Sequence, residues 1–266
     1  MIATLLKELA DKIAQVSGKK IKFVPVRGLD VLARVKLAPA TGNEHCLYFS
    51  AANAPGLSYA MAFECARILR FFEVDESERQ VAVTTKDMRK KAYSMFGDIA
   101  DRSSFSGNEE VLEKMQAAWY GGIVRRVTTY PGDVKIHIGL AQRCPELKDD
   151  QQKLFAGQLT KAEGDLAEEV KKQTPSTIFE LSGQLNAAYF KLLERQFPEL
   201  EFNNIIGNSF AEGAEQLVKV ISDTFADSYE GDVAKSQLWA AILGISDWFA
   251  WMKIKDITSE TDKQSF

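Results

Sequence analysis

A carboxylate and a guanidinium lie one helical turn apart in an apolar stretch of this sequence. Glu64 and Arg67 are three residues apart within Leu57–Phe72, where apolar residues occur nearly all round a helix. A carboxylate in such a helix can act as a general acid or base, and an arginine one turn away can neutralise it. The pattern predicts a buried helix that carries this pair. The alternative is an ordinary surface ion pair on a helix that was never catalytic.

The residues around this pair follow the spacing of a known metal-binding motif. Phe63-Glu64-Cys65-Ala66-Arg67 matches the H-E-x-x-H pattern, in which two histidines hold zinc and the glutamate polarises water. Phe63 stands at the first ligand position and Arg67 at the second. Phenylalanine has no lone pair and arginine stays protonated, so we expect no metal and no cofactor here. Glu64 is then a vestigial catalytic residue, and Phe63 and Arg67 belong to a candidate cleft.

The surrounding segments extend this match into a resemblance. The helix, the preceding His45-Cys46-Leu47-Tyr48-Phe49-Ser50 and the following Ile68-Leu69-Arg70-Phe71-Phe72-Glu73 resemble the ImmA/IrrE-type family of zinc-metallopeptidase-like proteins, with bacterial members, over roughly residues 1–100. The resemblance implies a gluzincin-like fold of a helix, a small sheet and an active-site-type helix. It implies zinc-dependent peptide hydrolysis where the motif is intact. With only Glu64 kept, it implies a catalytically inactive protein that binds a protein or peptide partner in the cleft, with a regulatory role.

Two other functions stay open. Glu64 could serve a metal-independent hydrolase as acid or base, or the C-terminal helices could join copies of the chain into a homo-oligomer. Cys65 and His45 complete the candidate cleft, as a nucleophile and its base. A cysteine in an apolar helix is more often a small buried hydrophobe, and we expect His45 to be an exposed residue at a strand start. The second histidine, His137, is expected to be structural.

Composition limits the class of protein. The chain has 266 residues, 45% of them hydrophobic and 26% charged, and a net charge of −4. This supports a folded core and gives no overall positive field for nucleic acid. Three cysteines without a CxxC pair indicate neither a disulfide scaffold nor a zinc ribbon. The charged residues within residues 1–15 are unlike a signal peptide, and the apolar run 238–252 is too short to cross a bilayer. We therefore expect a cytoplasmic protein without membrane contact.

Periodicity predicts an α+β fold that is predominantly helical. A first helix ends at Gly18, and three short strands at 21–26, 31–37 and 46–50 form a small antiparallel sheet before the Leu57–Phe72 helix. Another helix begins near Lys86. The Ser- and Gly-rich segment 102–108 then marks a boundary. The predicted domains are a metallopeptidase-like α+β domain (1–104), a helical domain (105–252) and a mobile polar tail (253–266).

Within the helical domain, the pattern predicts several further elements. Asn108 caps a helix through Gly121, and two antiparallel helices pack together at 147–170 and 178–192. A last helix at 233–252 gathers three of the four tryptophans, in a face that could also dock a partner. Residues 131–140 stay open, because their apolar positions alternate as in a strand.

Overall fold

The computed structural model describes residues 2–39, 41–52, 54–96, 109–198, 210–222, 227–257 and 262–263 of the chain. Helices dominate these ranges, and two small sheets accompany them, which confirms the α+β, predominantly helical class. The helices are α1 Ile2–Ser17, α2 Leu57–Phe72, α3 Lys86–Met95, α4 Glu109–Arg143, α5 Lys148–Asp165, α6 Glu168–Gln173, α7 Ser176–Gln196, α8 Ala211–Ser222 and α9 Tyr229–Ile242. The strands are β1 Lys20–Val26, β2 Ala33–Lys36, β3 Glu44–Ser50, β4 Gln80–Thr84, β5 Ala250–Lys253 and β6 Asp262–Lys263.

The chain forms two compact units, neither of which is one continuous segment. The first unit contains Met1–Arg79 and Lys135–Gln158, and the second contains Gln80–Val134 and Leu159–Gln264. This division differs from the predicted boundary at 102–108, a segment that lies outside the described residues. Strand β4 precedes that segment in the chain but pairs with β5, far along the sequence. Sequence composition does not show which distant strands pair, so it could not predict this division.

The sheet of the first unit is mixed, so the prediction of an antiparallel sheet was wrong. Its strand order is β1-β3-β2, with β1 parallel and β2 antiparallel to β3. After β1 the chain forms β2 at the opposite edge of the sheet. It then returns as β3, which lies between β1 and β2. Apolar residues alternate in the same way in either direction of a strand, so the pattern could not distinguish the two pairings.

Helix α2 is packed on two sides within the first unit, as its apolar residues predicted. One side carries Ala60, Met61, Cys65 and Ile68 and packs on the inner face of the sheet, at Ala33, Val35 and Leu47. The other side meets residues at and beyond the C-terminal end of α4, and this cluster contains Tyr59, Ala62, Phe63, Ala66, Ile136, Leu140, Cys144 and Leu147. Gly18 follows α1 and has a φ of 69°, and Gly56 precedes α2 and has a φ of 80°. This left-handed conformation favours glycine and accounts for both helix boundaries.

The second unit combines the other sheet with the remaining helices. Strand β4 lies between β5 and β6 and is antiparallel to both. Helices α7 and α8 pack together, and the indole N–H of Trp239 on α9 donates to the carbonyl of Leu217 on α8 at 2.9 Å. Trp248 is fully buried and lies against the rings of Tyr120 and Phe96.

In the helical part of the chain, the boundaries of two predicted helices and the packing of one predicted helix pair were wrong. The predicted helix through Gly121 continues to Arg143 as α4, with Pro131 inside it, so residues 131–140 are helical. Its predicted cap, Asn108, lies outside the described residues. The predicted helix 147–170 is interrupted between α5 and α6, and α7 packs chiefly on α8 rather than on that helix.

The C-terminal end of the described chain is also different from the prediction. The predicted helix 233–252 ends at Ile242, where Gly244 takes a φ of 69°, and residues 250–253 form β5. Trp239 is therefore the only one of the three clustered tryptophans that is helical. The predicted polar tail includes Lys253 of β5 and the two residues of β6, both of which are in a sheet. None of the described helices is long and apolar enough to cross a bilayer.

Candidate functional site

Glu64 and Arg67 form an ion pair inside the first unit. Arg67 Nη1 lies 3.4 Å from Glu64 Oε1, and the two side chains are 11% and 8% exposed, respectively. The pair is therefore buried, which excludes the alternative of a surface ion pair. Taking two charges out of water is costly, and their attraction often fails to offset this cost. The pair needs an explanation other than simple stabilisation of the fold.

A narrow crevice lies beside this ion pair, between α2 and β2. It is lined by Val35, Leu37, Glu64, Arg67, Ile68 and Phe71 and is too narrow to hold a water molecule. Four of these residues are apolar, and the ion pair supplies the polar groups. Strand β2 is at the edge of its sheet, because among the described residues it pairs only with β3. The crevice thus combines an apolar wall, a buried charge pair and a strand edge.

Phe63 lies outside the crevice, in a stack of three side chains. Its ring lies 4.4 Å from the ring of His137, centre to centre, at an angle of 22°. The Arg67 guanidinium carbon lies 5.1 Å from the centre of the Phe63 ring, within the range of a cation–π contact. Phe63 therefore contacts both Arg67 and His137.

His137 is a residue near the site that sequence reasoning set aside as structural. It is fully buried, and its Nδ1 is 2.8 Å from the hydroxyl of Tyr59, which also accepts a hydrogen bond from the Gln151 side chain at 2.8 Å. The Tyr59 hydroxyl and the His137 ring are thus joined by a hydrogen bond. Burial, reinforced by the charge of Arg67, lowers the pKa of His137 to about 3. Burial also raises the pKa of Tyr59.

No sequence signal could have placed His137 beside Phe63. The alternating apolar residues around it, Val134, Ile136 and Ile138, gave no clear helical phase. Its neighbours Tyr59 and Phe63 are on a helix far away in the sequence. The contact depends on the packing of α2 against the end of α4.

Cys65 and His45 do not form a nucleophile and base. Cys65 is fully buried among the residues packed on the sheet, and burial, with a smaller effect of Glu64, raises the pKa of its thiol to about 12. A thiol with this pKa is protonated and unreactive at neutral pH. Both ring nitrogens of His45 are engaged elsewhere. Its Nδ1 accepts from the backbone N–H of Ala38 at 3.0 Å, and its Nε2 lies 3.1 Å from Ser17 Oγ.

The expectation that His45 is exposed was wrong, since it is 1% exposed. The side chain at the first inward position of β3 points into the unit, and a hydroxyl and a backbone N–H satisfy its ring. Burial, with a smaller effect of Lys19, lowers the pKa of His45 to about 4. Glu64 and Arg67 are thus the two predicted site residues that line the crevice, and Phe63, Cys65 and His45 are in its supporting core.

The residues at the motif positions do not fit a zinc ion. Phe63 offers no lone pair, and Arg67 places a positive charge beside Glu64. Within the part of the chain that the structure describes, no three His, Cys, Asp or Glu residues form a group that could hold a metal. The donor set therefore gives no basis for a metal-dependent step at this site.

Comparison with known proteins found no relative of this chain. No family model matches it, and no curated protein or solved structure is similar to it. The resemblance to the ImmA/IrrE-type family stays a prediction from the sequence.

Proposed function

We propose that the crevice binds an extended segment of a protein or peptide partner and does not cleave it. The observation that carries the proposal is the buried Glu64–Arg67 pair in the wall of an apolar crevice beside an edge strand. The proposal includes the interpretation of the first unit as a metallopeptidase-like, gluzincin-like domain without its zinc ligands. A protein that binds its partner without cleaving it would have a regulatory role.

The contacts of the crevice support a peptide as its occupant. An edge strand presents backbone N–H and C=O groups to which an extended peptide can add as a further strand. The apolar lining of Val35, Leu37 and Phe71 suits an apolar side chain of that peptide, which enters when α2 and β2 move slightly apart. The Arg67 guanidinium has five N–H donors and can reach a peptide carbonyl, while the Glu64 carboxylate accepts from a peptide N–H.

The charge arrangement supports binding without catalysis. A general base needs a carboxylate oxygen that can take a proton from an attacking water. Here the guanidinium engages one oxygen of Glu64 and also lies over the ring of Phe63. Arg67 thus acts as a counter-charge where a catalytic glutamate would face its water.

Binding of a defined peptide tests the proposal. A phage-displayed library of random octapeptides is selected on the full chain, and the most enriched peptide is measured by calorimetry. We expect Arg67→Gln and Leu37→Ser to weaken binding about tenfold or more, because each removes one kind of crevice contact. Arg70→Gln is the matched control, since Arg70 lies one turn further along α2, is equally buried and pairs with Glu73 outside the crevice.

Two results would contradict the proposal. If no peptide is enriched, or if Arg67→Gln and Leu37→Ser bind as tightly as the control with circular dichroism unchanged, the crevice is not the binding site. If mass spectrometry finds the peptide cleaved and Glu64→Gln abolishes the cleavage, the protein is instead a metal-independent hydrolase.

A further inference from the structure

The outer face of the sheet in the first unit carries a row of two lysines around a cysteine. In the strand register, Cys46 of β3 is the partner of Lys22 on β1 and of Lys36 on β2. Both lysines are exposed and Cys46 is half-buried, whereas the adjacent positions His45 and Leu47 are buried on the inner face. The two lysines therefore stand on the solvent side, one on each flank of the central strand.

The other basic side chains on this face each have an acidic residue nearby. Lys20 is directly opposite Glu44 in the register. Arg34 Nη2 is 2.9 Å from Asp30 Oδ1. Lys22 and Lys36 have no ion-pair partner among the described residues. An anion placed between these two lysines would be attracted to both.

We propose that this face binds an acidic segment of a protein partner. Lys22 and Lys36 are two strand spacings apart, which is about 10 Å. In a polyproline II conformation, with three residues per turn and a rise of about 3.1 Å, side chains three residues apart are on the same side and about 9 Å apart. Carboxylates at this spacing contact both lysines at once. The next row along the sheet adds Val24, the half-buried Tyr48 and Arg34.

The overall charge of the chain favours a short acidic segment over nucleic acid or a lipid surface. The chain has a net charge of −4, so the positive charge is local. Exposed charges act over a screening length of about 8 Å at physiological salt. A short peptide can contact this face alone, whereas a long polyanion or an anionic bilayer extends over acidic surface that repels it.

Binding of an octaglutamate peptide tests the inference. Fluorescence anisotropy of the labelled peptide is measured with the full chain at about 20 mM and about 300 mM salt. We expect Lys22→Gln/Lys36→Gln to weaken binding about tenfold at low salt, because two exposed charge contacts are lost. The control Lys7→Gln/Lys12→Gln removes the same charge from the exposed side of α1 and changes binding less than about twofold.

Further arms separate this face from other anions and from the crevice. An octathymidylate strand and vesicles of phosphatidylserine and phosphatidylcholine are measured in the same way, and tighter binding of either one overturns the proposal. The absence of peptide binding at low salt, or equal weakening by both double variants, also overturns it. Arg67→Gln leaves binding of octaglutamate unchanged, so the acidic-segment site and the proposed crevice site succeed or fail separately.

Discussion

Arg67 is the residue on which the candidate site depends most. It forms an ion pair with Glu64 and lies over the ring of Phe63, which is also stacked with His137. The same guanidinium occupies the position of a ligand in the zinc-binding motif. Arg67 offers no lone pair to a metal and supplies a counter-charge to Glu64.

The buried pair predicts a non-additive effect on stability. We expect Arg67→Leu alone to lower the free energy of unfolding by about 3 kcal/mol, because it leaves the Glu64 carboxylate buried without its counter-charge. Glu64→Leu alone has a similar effect on the guanidinium. The double variant Glu64→Leu/Arg67→Leu should be more stable than either single variant, since no charge stays buried. Urea unfolding of the three variants measures the coupling, and additive losses would contradict it.

At the scale of elements, close contacts decide which helix positions tolerate a side chain. Gly183 of α7 faces Phe210, and a Cβ added at Gly183 would lie 2.5 Å from atoms of that ring. Phe210 is itself buried. A Cβ added at Gly122 of α4 would have no atom of another element within 4 Å among the described residues. The two glycines occupy helices of the same unit but have different reasons for being glycine.

This difference predicts opposite effects of one substitution. Gly122→Ala should raise the free energy of unfolding by about 0.5–1 kcal/mol, because alanine favours the helix and loses less backbone freedom on folding. Gly183→Ala should lower it by about 1–3 kcal/mol, because the ring of Phe210 must move. Thermal or urea unfolding of both variants checks the pair of effects. Stabilisation by Gly183→Ala would show that α7 and α8 can separate slightly at low cost.

At the scale of the whole molecule, the two histidines of the chain are both buried and neutral. His45 and His137 have pKa values of about 4 and about 3, below the ordinary value of 6.5 that applies in the unfolded chain. At pH values between 6.5 and these lowered pKa values, the unfolded chain therefore binds more protons than the folded chain. Their contribution to stability is complete above pH 6.5 and is lost as the pH falls toward 4 and then 3.

Assembly through the C-terminal helices stays a prediction.

Stability should accordingly decrease on mild acidification. Between pH 6.5 and 5 we expect the free energy of unfolding to fall by about 3 kcal/mol, with roughly equal shares from the two histidines. His45→Gln and His137→Gln should each reduce the slope of stability against pH by about half, whatever their effect on stability itself. Urea unfolding at several pH values in this window gives the slopes. A slope that neither variant changes would show that other groups cause the dependence.

The sequence by itself determined the local features of this protein. The period of apolar residues predicted α1 and α2. Gly18, with a positive φ, follows the end of α1, and Gly56, also with a positive φ, precedes the start of α2. The chemistry of Phe63 and Arg67 was enough to show that these positions do not hold a metal, because lone pairs and charge belong to the side chain itself.

Only the tertiary structure decided how these elements meet. It set the parallel pairing of β1 and β3, the burial of the Glu64–Arg67 pair and the contact of His137 with Phe63. It also placed β5 beside β4, where the apolar sequence predicted a longer helix. Periodicity reports which residues share a face of one element. Which faces pack together, and in which strand direction, depends on how distant segments of the chain cross, and no local pattern records that.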